Sequence, residues 1–227
     1  MSDDVFPIRR TEGLRRGLRL EYLTIGWNAI EGLVALWAAL LAGSVALLGF
    51  GMDSFVESAS GAVLVWRLLA EQRGMDPEAV HKLDRRAHKL VGASLLLLGV
   101  YILVEAGVAL LTREAPRPSA IGVALSIASI AAMQWLARRK RALARQLGSR
   151  ALEADAFQTS ACFWLSVITL AGIGLNAALG WWWADPAAAI GMAVFIAREG
   201  LEAWRGEECE RESALGASSR QERSNDR

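Results

Sequence analysis

Six apolar runs, separated by polar or charged segments, dominate the chain. A membrane-spanning helix needs about 20 predominantly apolar residues, and each run reaches or approaches this length. The runs cover residues 20–42, 45–68, 90–111, 120–136, 154–178 and 183–204. The pattern predicts an all-α membrane protein, a bundle of six transmembrane helices that forms one domain over residues 20–205. We expect residues 1–19 to form a cytoplasmic N-terminal arm and the polar residues 206–227 to form a disordered cytoplasmic tail.

The basic residues concentrate on alternate connections between the runs. Residues 1–19, 71–89, 137–150 and 198–227 hold 22 of the 25 lysines and arginines, whereas the three short connections hold only Arg113 and Arg117. Cytoplasmic loops of membrane proteins carry such an excess, so we interpret the basic run at 138–141 as a topology signal. The asymmetry predicts a multi-pass protein of the inner cell membrane with both termini in the cytoplasm.

Composition narrows the functional classes. Hydrophobic residues make up 53% of the chain and the net charge is only +1, so no basic field suggests a nucleic-acid partner. The two cysteines, Cys162 and Cys209, are far apart, which argues against a disulfide scaffold. We find neither a phosphate-binding loop nor a nucleophile–base pairing. The sequence therefore predicts a protein that is not an enzyme and carries no resident cofactor.

Acidic residues inside the apolar runs are the best functional clue, because a charged group at the bilayer centre is costly and is usually retained for function. Asp53 and Glu57 lie four residues apart in the second run and so share one helix face. The neighbouring apolar runs contain no lysine, arginine or histidine that would neutralise them, which favours a cation site. In the first run, Glu31 is either a proton-carrying acid or a hydrogen-bonded helix contact, with Asn28 one turn before it.

The fifth run offers a second set of donors. Asp155, Gln158 and Cys162 are spaced three and four residues apart and share a helix face. Carboxylate, amide and thiolate groups on two helices could together bind one divalent cation. The alternative is that these groups form interhelical hydrogen bonds and that Cys162 is a small packing residue.

These motifs resemble the cation diffusion facilitator, or cation efflux, family. The segment 52–57 (MDSFVE), preceded by Ser44, looks like the second-span signature, in which two acids four apart bind metal. The segment 154–162 (ADAFQTSAC) is similar to the fifth-span motif, and Asn28 and Asp185-Pro186 match further positions. Six spans with both ends inside the cell is also the architecture of this family.

The resemblance implies a ligand set and an assembly. It assigns the metal to Asp53, Glu57, Gln158 and Cys162, although the family usually has histidine and aspartate at the last two positions. Accessory or proton-coupling roles fall to Asn28, Glu31 and Asp155. The resemblance also implies a homodimer, and the short segment after residue 205 suggests a minimal or divergent branch without the C-terminal cytoplasmic domain of many members.

The expected function is divalent metal cation transport, specifically efflux by proton-coupled antiport, with a zinc-like ion as the substrate. The expected partners are divalent metal ions, the lipid bilayer and a second copy of the chain. The main alternative is a non-transporting, metal-responsive membrane partner or scaffold protein. An intramembrane hydrolase that uses the paired acids is a third candidate, but the motifs that accompany such sites are absent.

Overall fold

The computed structural model describes residues 5–73, 77–113, 115–147 and 150–205, which fold into α-helices and contain no strand. The helices are α1 (Val5–Ala42), α2 (Val45–Gln72), α3 (Pro77–Thr112), α4 (Ala120–Leu147), α5 (Arg150–Leu179) and α6 (Ala184–Arg205). The all-α prediction is confirmed. Residues 206–227, for which we predicted a disordered tail, lie outside the described residues.

Four of these helices are apolar enough to cross a membrane. The spanning segments are Arg15–Ala42, Lys89–Thr112, Ala120–Leu147 and Asp155–Leu179. Large apolar side chains such as Leu40 and Leu111 point outward with 80% and 86% of their surface exposed, as expected where lipid is the solvent. The chain is thus a multi-pass membrane protein. Helices α2 and α6 are not among these four segments, so six spans and the orientation of the termini stay predictions.

The helices pack as three pairs. Helix α1 packs along α2, α4 along α5, and α3 along α6. Helices α1, α2, α4 and α5 also contact one another around a common interior, which we call the four-helix bundle, while the α3–α6 pair packs against α2 and α5. A buried apolar cluster that includes Phe50, Ile102 and Met192 fills the junction between the bundle and this pair.

The α3–α6 pair is held at very short range because glycines lie at the crossing. A Cβ atom on Gly92 would come within 2.7 Å of the backbone nitrogen of Trp204 and 2.8 Å of the carbonyl oxygen of Gly200. Small residues at such positions let two helix backbones approach closely in a membrane. This contact joins α3 and α6 into one tightly packed unit.

Asp185, at the start of α6, caps the start of α2. Its carboxylate accepts hydrogen bonds from the Ser44 hydroxyl (2.5 Å) and from the backbone N–H groups of Val45 (2.9 Å) and Ala46 (3.3 Å). The first N–H groups of a helix have no partner inside the helix, and a carboxylate also favours the positive end of the helix dipole. The Asp185-Pro186 motif therefore anchors α6 to the helix that carries the acid pair.

Candidate metal site

The interior of the four-helix bundle is polar, although its outer surface is apolar. Buried polar side chains recur at spacings of three and four residues, which places those of each helix on one face. They are Glu21, Thr24, Asn28 and Glu31 on α1, Asp53, Ser54 and Glu57 on α2, Ser126, Ser129 and Lys140 on α4, and Thr159, Cys162, Ser166 and Thr169 on α5. Polar groups that face a bundle interior in this way are typical of ion pathways.

The predicted acid pair lies at the centre of this interior. Asp53 and Glu57 are both buried, and the carboxylate of Glu57 lies beside Asn28 and Cys162. Among the described residues, neither carboxylate oxygen of Glu57 and neither polar atom of the Asn28 side chain has a hydrogen-bond partner. Buried polar groups are normally paired, so this cluster of unpaired donors and acceptors is suited to a ligand.

Glu31 is the third acid in this region and interacts electrostatically with both Asp53 and Glu57. One of its carboxylate oxygens accepts a hydrogen bond from the Ser129 hydroxyl at 2.5 Å, and Ser166 donates to Ser129 at 3.0 Å. Its other oxygen has no partner within the described part of the chain. Glu31 thus joins α1 to α4 and keeps one carboxylate oxygen without a hydrogen-bond partner among the described residues.

The four predicted ligands do not converge equally. Cys162 lies beside Glu57 and interacts electrostatically with Asp53, whereas the amide oxygen of Gln158 accepts a hydrogen bond from Ser60 at 3.0 Å. Across the described ranges, no three His, Cys, Asp or Glu side chains stand close enough to hold a metal ion as they are. A metal at the pair would therefore require side-chain rotation, in addition to release of Gln158 if the amide takes part.

Asp155 belongs to a buried ion-pair cluster. Its carboxylate lies 2.6 Å from the Lys140 ammonium, which also lies 3.0 Å from a carboxylate oxygen of Glu21. Lys140 is wholly buried and also interacts electrostatically with Glu57, so the expectation that no cation lies near the acid pair is wrong, as is the interpretation of Lys140 as a topology signal only.

Helix α4 explains why Lys140 escaped the sequence analysis. The fourth apolar run of the sequence ends at Leu136, but the helix continues to Leu147. Lys140 therefore lies on the same buried face of α4 as Met133 and Leu136, because the three residues are spaced three and four apart. Glu21 was missed as well, although its spacing to Asn28 places it on the same face of α1 as the residues that were named.

Comparison with known proteins identifies the family. The family described as the cation efflux transmembrane domain matches residues 22–205. The magnetosome protein MamB of Magnetospira sp. is 27% identical over 184 residues, which is 80% of this chain and 61% of that protein. The uncharacterized transporter sll1263 of Synechocystis sp. is 31% identical over 179 residues, which is 75% of this chain and 56% of that protein.

The match to the family covers all six helices except the first part of α1. The chain spans about three fifths of the length of the curated relatives it matches. The polar interior apart from Glu21, the acid pair and the motif residues Ser44, Asn28 and Asp185 all lie in the matched region. The chain belongs to the cation diffusion facilitator, or cation efflux, family.

Proposed function

We propose that the protein is a divalent metal cation transporter that exports its substrate in exchange for protons. The observation that carries this proposal is the buried pair of carboxylates, Asp53 and Glu57, with Cys162 and the unpaired Asn28 beside it. Membership of the cation efflux family supports metal cation transport.

Charge balance favours a divalent substrate. Two ionised carboxylates buried in the bundle carry two negative charges, and the buried cation Lys140 is already held by Glu21 and Asp155, so burying the pair without a further counter-charge is costly. One divalent cation, or two protons, neutralises the pair. Because metal ligands must lose their protons before they bind, metal and protons compete for the same oxygens, and this competition gives antiport a physical basis.

The donor set favours zinc or cadmium over manganese or magnesium. A thiolate at Cys162 is a soft ligand that prefers such ions, while the amide of Gln158 would contribute only a weak oxygen ligand. Asp53, Glu57, Gln158 and Cys162 thus remain our proposed ligands, with Asn28 and Glu31 as accessory or proton-coupling groups. The pairing of Asp155 with Lys140 supports a different role for that carboxylate.

Transport requires the pair to face each side of the membrane in turn. We propose six spans with both termini in the cytoplasm, and a homodimer as the resemblance implies. The tightly packed α3–α6 unit can then rock as one body against the four-helix bundle, with Asp185 as its attachment to the start of α2. Relative rocking of helix groups around a fixed central site is the usual form of alternating access.

A second candidate function is that of a non-transporting, metal-responsive membrane partner or scaffold. It is favoured by one observation, namely that no three ligating side chains converge in the described residues. A protein that had lost tight coordination would keep the bundle and its polar interior without moving metal.

Flux in proteoliposomes tests the proposal. The purified protein is reconstituted with a metal-sensitive dye and a pH-sensitive dye inside, and Cd²⁺ or Zn²⁺ is added outside. We expect protein-dependent metal influx with proton release from the lumen, and we expect loss of flux in Asp53→Asn/Glu57→Gln, which keeps the side-chain shapes. Glu105→Gln is the matched control, because Glu105 is a half-buried acid on α3 beside Tyr101 and outside the four-helix bundle.

The result separates the two candidates. Wild-type protein that binds Cd²⁺ but moves no metal beyond protein-free liposomes would support the scaffold function. Flux that survives in the Asp53→Asn/Glu57→Gln variant would show that the acid pair is not the transport site.

A further inference from the structure

The Lys140 ammonium sits in a cage of oxygen atoms between α1, α4 and α5. Its nitrogen lies 3.0 and 3.2 Å from the two carboxylate oxygens of Glu21, 2.6 Å from an oxygen of Asp155 and 3.2 Å from the hydroxyl of Thr159. Lys140, Glu21 and Thr159 are fully buried, and the Asp155 side chain is 13% exposed. The cage is thus a closed compartment that holds a cation, and the cation belongs to the chain itself.

The ammonium matches this cage poorly, both in its charge and in its number of hydrogen-bond donors. Two carboxylates face a single positive charge, and four oxygens surround a group that has only three N–H donors. One oxygen of Glu21 and the oxygen of Asp155 that faces Lys140 make no hydrogen bond in the described structure, although both lie within ion-pair distance. A divalent metal ion would balance both carboxylates, and such ions readily take four or more oxygen ligands.

The α5 residues of the cage lie on the same helix face as Cys162, which lies beside Glu57 of the acid pair. Asp155, Thr159 and Cys162 follow one another on one face of α5 at spacings of four and three residues. A helix rises by about 1.5 Å per residue, so Thr159 lies about one turn and Asp155 about two turns of α5 from Cys162. The cage also lies towards the end of the bundle that carries the basic connections, which is the cytoplasmic end in the topology we propose.

We propose that Glu21, Asp155 and Thr159 form a second divalent-cation site, on the cytoplasmic side of the acid pair, which Lys140 occupies as a tethered cation until metal arrives. This inference rests on the proposed function. A metal ion from the cytoplasm displaces the ammonium, whose four-carbon stem lets it swing aside, and then moves on to Asp53 and Glu57. The ammonium returns to the cage and closes the path behind the ion.

Removal of the tethered cation should expose the second site to metal. In Lys140→Leu, which adds no metal ligand, Cd²⁺ titration by calorimetry should give two ions bound per chain in place of the single ion expected for the wild type. Cd²⁺ should also raise the unfolding temperature of this variant more than that of the wild type. Arg138→Leu is the matched control, since it removes an exposed charge two residues away on the same helix and should leave both readouts at wild-type values.

Combined variants assign the additional ion to the cage. Glu21→Gln/Lys140→Leu should return to one bound ion because a carboxylate ligand is lost. Asp53→Asn/Glu57→Gln/Lys140→Leu should keep one ion, now in the cage, even though the acid pair is disabled. This last variant separates the two proposals, because cage binding there stands even if the wild type transports nothing.

Glu21→Gln with Lys140 intact decides the matter if Lys140→Leu does not fold. One ammonium then faces one carboxylate, so the cage is balanced and should hold the lysine more firmly. We expect normal folding, one Cd²⁺ per chain, and metal flux slowed at least tenfold. A single bound ion in folded Lys140→Leu, or wild-type flux in Glu21→Gln, would overturn the proposal.

Discussion

Cys162 is the residue at which two interpretations of the site compete most directly. Its side chain is buried beside Glu57, as a metal ligand would be. It also packs in an apolar cluster with Met133 and Leu136, as a small structural residue would. Proximity alone therefore does not assign its role, and metal preference is the property that separates the two.

If Cys162 ligates the metal, Cys162→Ser should weaken Cd²⁺ binding much more than Mn²⁺ binding. A serine hydroxyl keeps the size of the side chain but removes the soft thiolate that favours Cd²⁺. We expect the ratio of the two affinities to fall by roughly tenfold, or about 1.4 kcal/mol, in calorimetric titrations. Affinity of the wild type for Cd²⁺ should also rise with pH as the thiol loses its proton.

Thiol labelling provides the control for this prediction. Because Cys162 and Cys209 are the only cysteines in the sequence, a Cys209→Ser background leaves a single reporter. Cd²⁺ should protect Cys162 from the reagent in proportion to its occupancy. If labelling ignores the metal and Cys162→Ser preserves the affinity ratio while transport continues, Cys162 is a packing residue.

The sequence indicated the acid pair but not the cation cage, because a charged residue is recognised as buried only where its neighbours in the sequence are apolar. A charge inside an apolar run stands out, so Asp53 and Glu57 were identified from position and spacing. Lys140 is preceded and followed by arginines, and a charge in a basic run has no such contrast. Lys140 differs from its exposed neighbours only in its position around the helix. It lies on the buried face of α4, which continues past Leu136.

At the scale of elements, each of the six apolar runs corresponds to one helix of the structure. The helix ends at the short connections agree closely with the runs, since the second run and α2 both begin at Val45. The ends that carry the basic segments differ, because α1 begins at Val5 and α4 continues to Leu147. Hydropathy detects only the part of a helix that lies in lipid, whereas the backbone continues its hydrogen bonding into the polar segment.

The α3–α6 crossing makes a prediction about packing. In Gly92→Ala the added methyl group would meet the backbone of α6, which cannot give way as a flexible side chain can. We expect a loss of stability of about 1–3 kcal/mol, the usual cost of overpacking, measured by reversible denaturation in detergent micelles.

The matched control lies on the same helix. A Cβ atom on Gly107 would meet no heavy atom of the described chain within 4 Å. Because alanine favours a helix over glycine by about 1 kcal/mol, Gly107→Ala should leave stability unchanged or raise it. Equal effects of the two substitutions would show that the α3–α6 contact is looser than the structure indicates.

At the scale of the whole molecule, the charge asymmetry predicts the orientation in the membrane. Reporter domains fused after Arg10, Lys82, Arg141 and Ser213 should read as cytoplasmic, because the basic segments stay on that side of the membrane. Reporters fused near Arg117 and Gly180 should read as external. Enzymatic reporters that are active on only one side of the membrane provide the measurement.

The fusion after Arg141 is the most informative of the set. Arg141 lies on α4, directly after Lys140 of the cation cage. An external reading there would contradict the six-span arrangement, and it would also place the cage at the wrong end of the transport path.

The charged residues inside α2 and α6 have a consequence for biogenesis. A segment of this kind partitions weakly into the bilayer as it leaves the ribosome, so it needs a partner that is already in place. For α2 this partner is α1, which is synthesised just before it and precedes it across a two-residue turn. Helix α6 packs chiefly on α3, which is synthesised much earlier, and its Asp185 caps α2. We therefore expect the insertion of α6 to depend on an assembled bundle, which would make α6 a late checkpoint in the maturation of the protein.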